Sequence, residues 1–382
     1  MKYPIHDAVK KSVESGLVPT LTVYNRVDGP GSSLDLRLFQ QAFWQLKNIP
    51  SDPQADPTFS WSKGLPRTVG MSITIGTDIE VYPISPGKIG VESIDFGFSY
   101  TYNVGVVPPT KENWLLKIMD TFGLDGVKFV IRNQRPELKS AGLGGSAAVT
   151  TGVCLMADML TGKKFTKTQL IGMASMMEHD MGVSITGTQE QSAAMYGGIR
   201  DYVWFPYGVP GKNDFFGSSI QQEILFPKEY AELRKRMDIY FTAERHSSDV
   251  NAVWEHQMRM VNGFLLHKKK NNLAYEFREA LRLKEWNKIA APVEEYRKIR
   301  TQLCTNYMSE HHRLLHRIVS DYHAVCFPLG GGGGSVMVFS PDPEQLKRIK
   351  KELEQDFIYL DYEFSENGHE FINFEIIDKE LA

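Results

Sequence analysis

Cysteine is scarce: three in 382 residues, Cys154, Cys304 and Cys326, each in apolar company and at spacings that fit no metal motif. So sparse and odd a set excludes a disulfide framework and points to reduced thiols in a cytosolic setting. Uninterrupted apolar runs long enough to cross a bilayer are missing, so no membrane span is expected. Neither sign of charge dominates, with 43 Lys and Arg against 46 Asp and Glu, net −3. That balance gives no reason to expect nucleic acid or an anionic membrane as partner. The first fifteen residues alternate charged and apolar side chains and hold no signal-peptide core. The expectation is a soluble cytoplasmic protein, monomer or homodimer.

What is present supports two domains of ordinary size: 42% of residues are hydrophobic and 23% charged. A helix is expected over 5–16, a strand over 20–26, and a turn-rich loop from Val27 to Asp35 leading into the apolar stretch 36–46. Residues 48–66 carry Pro50, Pro53, Pro57 and Pro66 in polar company and read as an exposed loop. Alternation from Thr68 to Tyr102 predicts strands, then a helix over 113–122 and a strand over 127–131. Helices follow over 146–160 and 167–182, and a strand over 201–205. The Gly- and Pro-rich 206–218 is the best boundary, giving domains 1–207 and 208–382. The second half reads as helices over 228–236, 248–268, 273–285, 293–303, 307–321 and 343–356, with strands over 237–242, 336–339, 357–364 and 371–377. The class is α+β in two lobes.

The chain is organised around Ser140-Ala141-Gly142-Leu143-Gly144-Gly145-Ser146-Ala147, set between a β-branched run and a small-residue helix opening. Glycine reaches positive φ cheaply and lets backbone N–H groups approach a ligand. A following helix adds unpaired donors and the positive end of its dipole, so strand, glycine turn and helix make a phosphate cradle. No Gly-Lys-Ser/Thr closes it, which excludes the P-loop, and the glycine spacing does not fit a dinucleotide fingerprint. A helix N-terminus capped by Ser146 with a packing glycine is the other reading these residues allow.

Gly330 to Gly334 lies between strand-like segments, where five glycines cost conformational entropy that a close backbone approach to a ligand or another loop would offset. A carboxylate such as Glu178 next to phosphates can hold Mg²⁺ through oxygen, and Glu190 in an amide-rich run can accept a hydroxyl proton. Each is also compatible with an ordinary helix charge. His311, His312 and His316 read as surface histidines, because the Glu that a zinc protease needs after the first histidine is Arg313 here. Lys268-Lys269-Lys270-Asn271-Asn272 reads as a solvated helix end, and Met156, Met159, Met173, Met176 and Met177 as core.

Three motifs in order carry a family resemblance. Gly142-Leu143-Gly144-Gly145-Ser146-Ala147-Ala148 resembles the phosphate-binding motif of the GHMP kinases, the Gly330–Gly334 run their third motif, and Arg26-Val27-Asp28 through Leu34-Asp35 their first. Thr188 to Ala194 with Tyr196-Gly197-Gly198, and Thr242 to Ser248, look most like the heptose-phosphate kinase and fucokinase branch. The resemblance implies a two-lobed GHMP kinase fold: an N-terminal α/β lobe with a left-handed-type βαβ phosphate loop, and a ferredoxin-like C-terminal lobe. It implies ATP on residues 140–147 and Mg²⁺ on Ser146 and Glu178. Glu190 would be the catalytic carboxylate with Arg26 beside it, and Asp35, Ser32, Ser33, Gly332 and Gly333 would line the acceptor site. The implied activity is phosphorylation of a hydroxyl of a sugar or sugar phosphate. A catalytically weak nucleotide- or sugar-binding regulator, or a kinase for a non-sugar alcohol, are its alternatives. This chain departs from the family pattern at Glu190 (Asp in the family), Gly145 (usually Ser), Leu138 (usually Pro) and Ser32-Ser33 (often Gly-Gly or Glu-His).

Overall fold

The computed structural model describes residues 4–45, 64–138, 141–184, 186–206, 219–244, 257 and 259–381. Ser140, most of the proline-rich 48–66 loop, the 206–218 boundary beyond Pro206, and Arg245 to Ser248 lie outside them. In chain order the main elements are α1 (Pro4–Glu14), β1 (Thr20–Asp28), α2 (Arg37–Gln45), β2 (Arg67–Pro83), β3 (Lys88–Ser93), β4 (Phe98–Asn103), α3 (Trp114–Phe122) and β5 (Val127–Asn133). Next come α4 (Gly145–Thr161), α5 (Lys167–Asp180), α6 (Gln189–Tyr196), β6 (Ile199–Trp204), β7 (Ser219–Leu225), α7 (Tyr230–Arg234) and β8 (Met237–Phe241). The rest is α8 (Gly263–Arg282), α9 (Ala290–Leu303), α10 (Glu310–Asp321), β9 (Val325–Pro328), β10 (Ser335–Phe339), α11 (Pro343–Leu353), β11 (Ile358–Tyr359), β12 (His369–Ile372) and α12 (Glu375–Leu381).

Two sheets organise the chain. Among the described residues the larger has eight strands, in the order β12-β1-β2-β5-β3-β4, with β6 paired to β2 and β7 to β6. The smaller is β11-β8-β10-β9, antiparallel throughout. Strand β10 shows why both faces of the small sheet are covered. Met337 and Phe339 point into one apolar cluster with Val293 and Ile299 of α9, while Val336 and Val338 point into another with Leu315 of α10 and Ile349 of α11. Side chains alternate across a strand, so an unbroken apolar run such as Val336–Phe339 needs helices on both sides. In the large sheet, Val23, Ile79, Val81 and Phe129 meet Val153, Met156 and Leu160 of α4, which fixes that helix against β1 and β2. Its first turn is thereby held at the end of β1, beside Arg26.

Several elements differ from expectation. Residues 371–377 form the end of β12 and the start of α12, because Asn373 takes φ 63 and stops the strand. The rest of the chain then packs Phe374 and Ile377 into the α1 core as a helix. Of 357–364 only Ile358–Tyr359 joins the small sheet, with Phe364 bridging singly to Ile73. The two helices expected over 248–268 and 273–285 are, among described residues, the single helix α8. Strands β7 and β12, both beyond residue 208, belong to the large sheet. Met159 and Met176 are exposed instead of core. His312 is buried, its ring accepting from Ser309 N in a capping box, while His311 is exposed as expected.

Candidate active site

Strand β5 ends at Asn133, and the chain reaches α4 through Gly142 at φ +81 and Gly144 at φ +77. Both are left-handed turns that an L side chain adopts only with strain. Space requires glycine as well: a Cβ on Gly142 would lie 2.8 Å from the Leu329 carbonyl oxygen, and one on Gly144 would lie 3.0 Å from Glu190 Cγ. The first helical bond of α4 runs from Ala148 N to Gly144 O at 3.0 Å. The N–H groups that precede it have no intrahelical partner and carry the positive end of the α4 dipole. Gly144 stands at the N-cap, so no side chain caps the helix. The expectation that Ser146 is the cap is therefore corrected: its hydroxyl points to Glu178.

Glu178 lies on α5, 1% exposed. Its Oε1 accepts from Ser146 Oγ at 3.1 Å and Thr150 Oγ1 at 2.9 Å, and its Oε2 accepts from Gln191 Nε2 at 3.0 Å. Burial raises its pKa to about 7, the three donors pulling the other way and Glu190 adding repulsion. A buried carboxylate with a serine hydroxyl on it and only neutral hydrogen-bond donors around it fits a divalent cation: Mg²⁺ takes one or two protein oxygens and completes its shell with phosphates and water.

On the other side of Gly144 a second group of charges converges. Arg26, from β1, pairs with Glu190 through Nη2, reaches Asp28 Oδ1 at 2.7 Å through Nε, and donates to the Gly142 carbonyl at 3.0 Å. One guanidinium thus ties β1, the glycine turn and the first turn of α6 together. Burial opposes its charge, and the neighbouring Asp28 and Glu190 outweigh it. Gln189 joins the same group, donating from Nε2 to Asp28 at 2.5 Å and from its backbone N to Asp35 at 2.9 Å. Asp28 also accepts from Gly330 N at 3.2 Å. Burial raises Asp28 to about 6 and, with repulsion from Glu190, Asp35 to about 7.

These shifts have a sign. Asp35 has an ordinary value of 3.8 and rises to about 7 in the fold, so the folded protein keeps a proton that the unfolded chain gives up. Stability is therefore highest below the ordinary value and falls as pH rises toward the folded one. We expect Asp35→Asn, which keeps an oxygen for Gln189 N, to lose less melting temperature than the wild type between those two pH values. Calorimetry across that range checks this, and parallel curves would contradict it.

Beside the glycine turn lies a cavity of about 210 Å³, whose lining includes Phe96, Phe98, Trp114 and Arg135 together with Gly142, Gly145 and Ser146. Aromatic rings and helix-terminal amides lining one cavity suit a flat base joined to phosphates. The Gly330–Gly334 run buttresses the turn: a Cβ on Gly333 would lie 2.5 Å from Gly142 Cα, and Ser335 N donates to Ala141 O at 2.9 Å. Gly330 and Gly333 serve that loop-to-loop contact, while Gly334 packs against Phe241 and the Glu244 carbonyl. Gly332 sits against Tyr307, so the contacts of Gly332 and Gly333 are with Tyr307 and the phosphate turn.

The residues singled out from sequence thus fall into three neighbouring groups: 141–147 with Ser146 and Glu178, Arg26 with Glu190, and Ser32, Ser33 and Asp35. Asp28, Gln189, Gln191, Thr150 and the aromatic residues lining the cavity were missed, since each is ordinary in isolation. Lys270 was missed outright. It is fully buried in the middle of α8, not at a solvated end, and so is Asn271, which accepts from Arg67 N at 2.9 Å. Positions 263, 267, 270, 274, 277 and 281 share one helix face, and that period was the available signal.

Residues 112–198 match the family described as GHMP kinases N terminal domain. Solved structures of the same architecture include a D-glycero-D-manno-heptose 1-phosphate kinase from Bacteroides thetaiotaomicron (16% identity, TM-score 0.64, covering 93% of this chain and 98% of that one). Galactokinase of Lactococcus lactis complexed with galactose is similar at 13% identity and TM-score 0.66, with 92% and 95% covered. Phosphomevalonate kinase of Streptococcus pneumoniae, in complex with phosphomevalonate and AMPPNP, is similar at 15% and 0.67, with 91% and 99% covered. No curated protein sequence matches the chain. The fold is that of the GHMP kinases, with mixed α and β content as the sequence predicts. No helix among the described residues is long and apolar enough to cross a membrane.

Proposed function

We propose that this chain is an ATP- and Mg²⁺-dependent kinase that phosphorylates a hydroxyl of a sugar or sugar phosphate. One observation carries the reading: Glu190, its carboxylate held by Arg26, packs its Cγ against Gly144, the residue from which the amides of α4 begin. A carboxylate on that side chain stands beside the turn whose helix-terminal N–H groups would hold a terminal phosphate. Phosphoryl transfer needs positioning and charge neutralisation more than covalent chemistry. In this reading the amides of 142–147 hold the phosphates, and the cavity bounded by Phe96, Phe98 and Trp114 takes the base. Ser146 and Glu178 would hold Mg²⁺, which when bound neutralises phosphate charge. Glu190 orients the acceptor hydroxyl and accepts its proton, Arg26 fixes that carboxylate, and Asp35 accepts hydrogen bonds from neighbouring hydroxyls of the acceptor.

The test is ADP release from ATP and Mg²⁺ with a panel of free and phosphorylated aldoses. Release dependent on one class of aldose supports the reading. Release only with a non-sugar alcohol such as mevalonate keeps the kinase and removes the sugar. Nucleotide binding without turnover would instead favour a regulator built on the same fold.

A further inference from the structure

Lys270 is among the buried charges to which the proposed mechanism gives no role. Lys270 is fully buried on α8, and its ammonium donates to the Ser32 carbonyl at 2.7 Å and the Ser33 hydroxyl at 2.9 Å. Both are neutral oxygens; burial and then the neighbouring Arg300 push its pKa well below the ordinary lysine value, and Asp35 and Asp28 favour its charge only through space. An ammonium placed so is costly to bury, and that cost must be set against what it holds.

What it holds is the turn that leads to Asp35. Ser33 takes φ 70, a left-handed conformation that a non-glycine residue keeps only when its surroundings impose it. The same face of α8 forms the bed of this turn. Phe277 lies where a Cβ on Gly29 would be, Ala274 lies 3.0 Å from the Cβ position of Gly31, and His267 packs on Phe39 at 4.1 Å between ring centres. Two residues beyond Ser33, Asp35 receives the Gln189 amide beside Glu190. The phosphate turn is braced from other quarters, by Arg26 and by Gly333.

We propose that Lys270 is a positioning residue that fixes the 32–35 turn and thereby sets affinity for the phosphoryl acceptor, leaving nucleotide affinity alone. The inference rests on the kinase reading, since it presumes that Asp35 faces an acceptor. Methionine is the informative replacement, because it fills the volume of the lysine and drops only its ammonium, so a role limited to packing would survive it.

The experiment measures steady-state kinetics with whichever aldose or aldose phosphate of the panel gives the fastest ADP release with the wild type. Lys270→Met is expected to raise the acceptor KM by about tenfold or more, the scale of a lost charge-assisted hydrogen bond, with the ATP KM unchanged. Adding Ser33→Gly to Lys270→Met should recover part of the acceptor KM, because glycine adopts the left-handed turn without strain. An acceptor KM that does not move, or acceptor and ATP KM values that rise together, overturns the proposal while the kinase reading stands. Wild-type protein that releases no ADP with any panel member overturns both. If Lys270→Met does not fold, Ser33→Ala carries the test by removing one of the two oxygens. A several-fold rise in acceptor KM at constant ATP KM supports the proposal, and no rise overturns it.

Discussion

Glu190→Gln is expected to lower kcat by roughly 10²- to 10⁴-fold, the worth of a well-placed general base, and to leave affinity for a non-hydrolysable ATP analogue unchanged. Glutamine keeps the length of the side chain and can still accept from Arg26, so the geometry of β1, the glycine turn and α6 survives. The negative charge that would take the hydroxyl proton does not. Nucleotide affinity is assigned to the amides of 142–147 and to the aromatic cavity, neither of which depends on that charge. The glutamate is one methylene longer than the aspartate of the family pattern, and Gly144, with no side chain, gives it the room: its Cγ occupies the space a Cβ there would need. A loss of nucleotide binding equal to the loss in kcat would mean that Glu190 shapes the phosphate turn and does not act on the acceptor. Unchanged turnover would remove it from the mechanism.

Gly142→Ala is expected to have the opposite signature, destabilising the protein and weakening nucleotide binding together. A residue forced to hold positive φ costs of order 1–3 kcal/mol. Here a Cβ would also stand 2.8 Å from Leu329 O and 3.0 Å from Gly333 Cα, contacts with backbone that no side-chain rotation relieves. The two loops must part, and parting them displaces the amides. We expect at least about a tenfold loss of nucleotide affinity, near 1.4 kcal/mol, with a lowered melting temperature. Gly145→Ala is the internal control. It sits at the first position of α4, outside the left-handed region, and no protein atom lies within 4 Å of its Cβ position, so it should keep the melting temperature of the wild type. The usual serine of the family pattern would fit there for the same reason. If both alanines melted alike, the tight approach of the two glycine loops would not matter to the fold.

The features legible in the amino-acid sequence are those encoded locally. A glycine turn between a β-branched strand and a small-residue helix announces itself, and so does a run of five glycines between strands. The pairing of those two loops is half visible, because the entropy cost of the glycines demands a close approach without naming its partner. Asp28 and Gln189 are illegible for a different reason. Each matters only because β1, α6 and the 330–334 loop meet around Arg26, a convergence across more than 300 residues of chain. Lys270 misleads because three lysines followed by two asparagines are polar enough for solvent, and only the full span of α8 shows that the third one faces inward. At the C-terminus, Phe371 to Ile377 has the composition of a strand, and one left-handed asparagine redirects it into a helix on α1.

The most direct measurement is a crystal structure with AMPPNP and Mg²⁺, read at the backbone nitrogens of residues 142–147. Phosphate oxygens are expected within hydrogen-bonding distance of those amides, with the metal on Ser146 and Glu178 and the base against Trp114. A nucleotide seated elsewhere, or bound with those amides turned away from its phosphates, would contradict the kinase mechanism at its root.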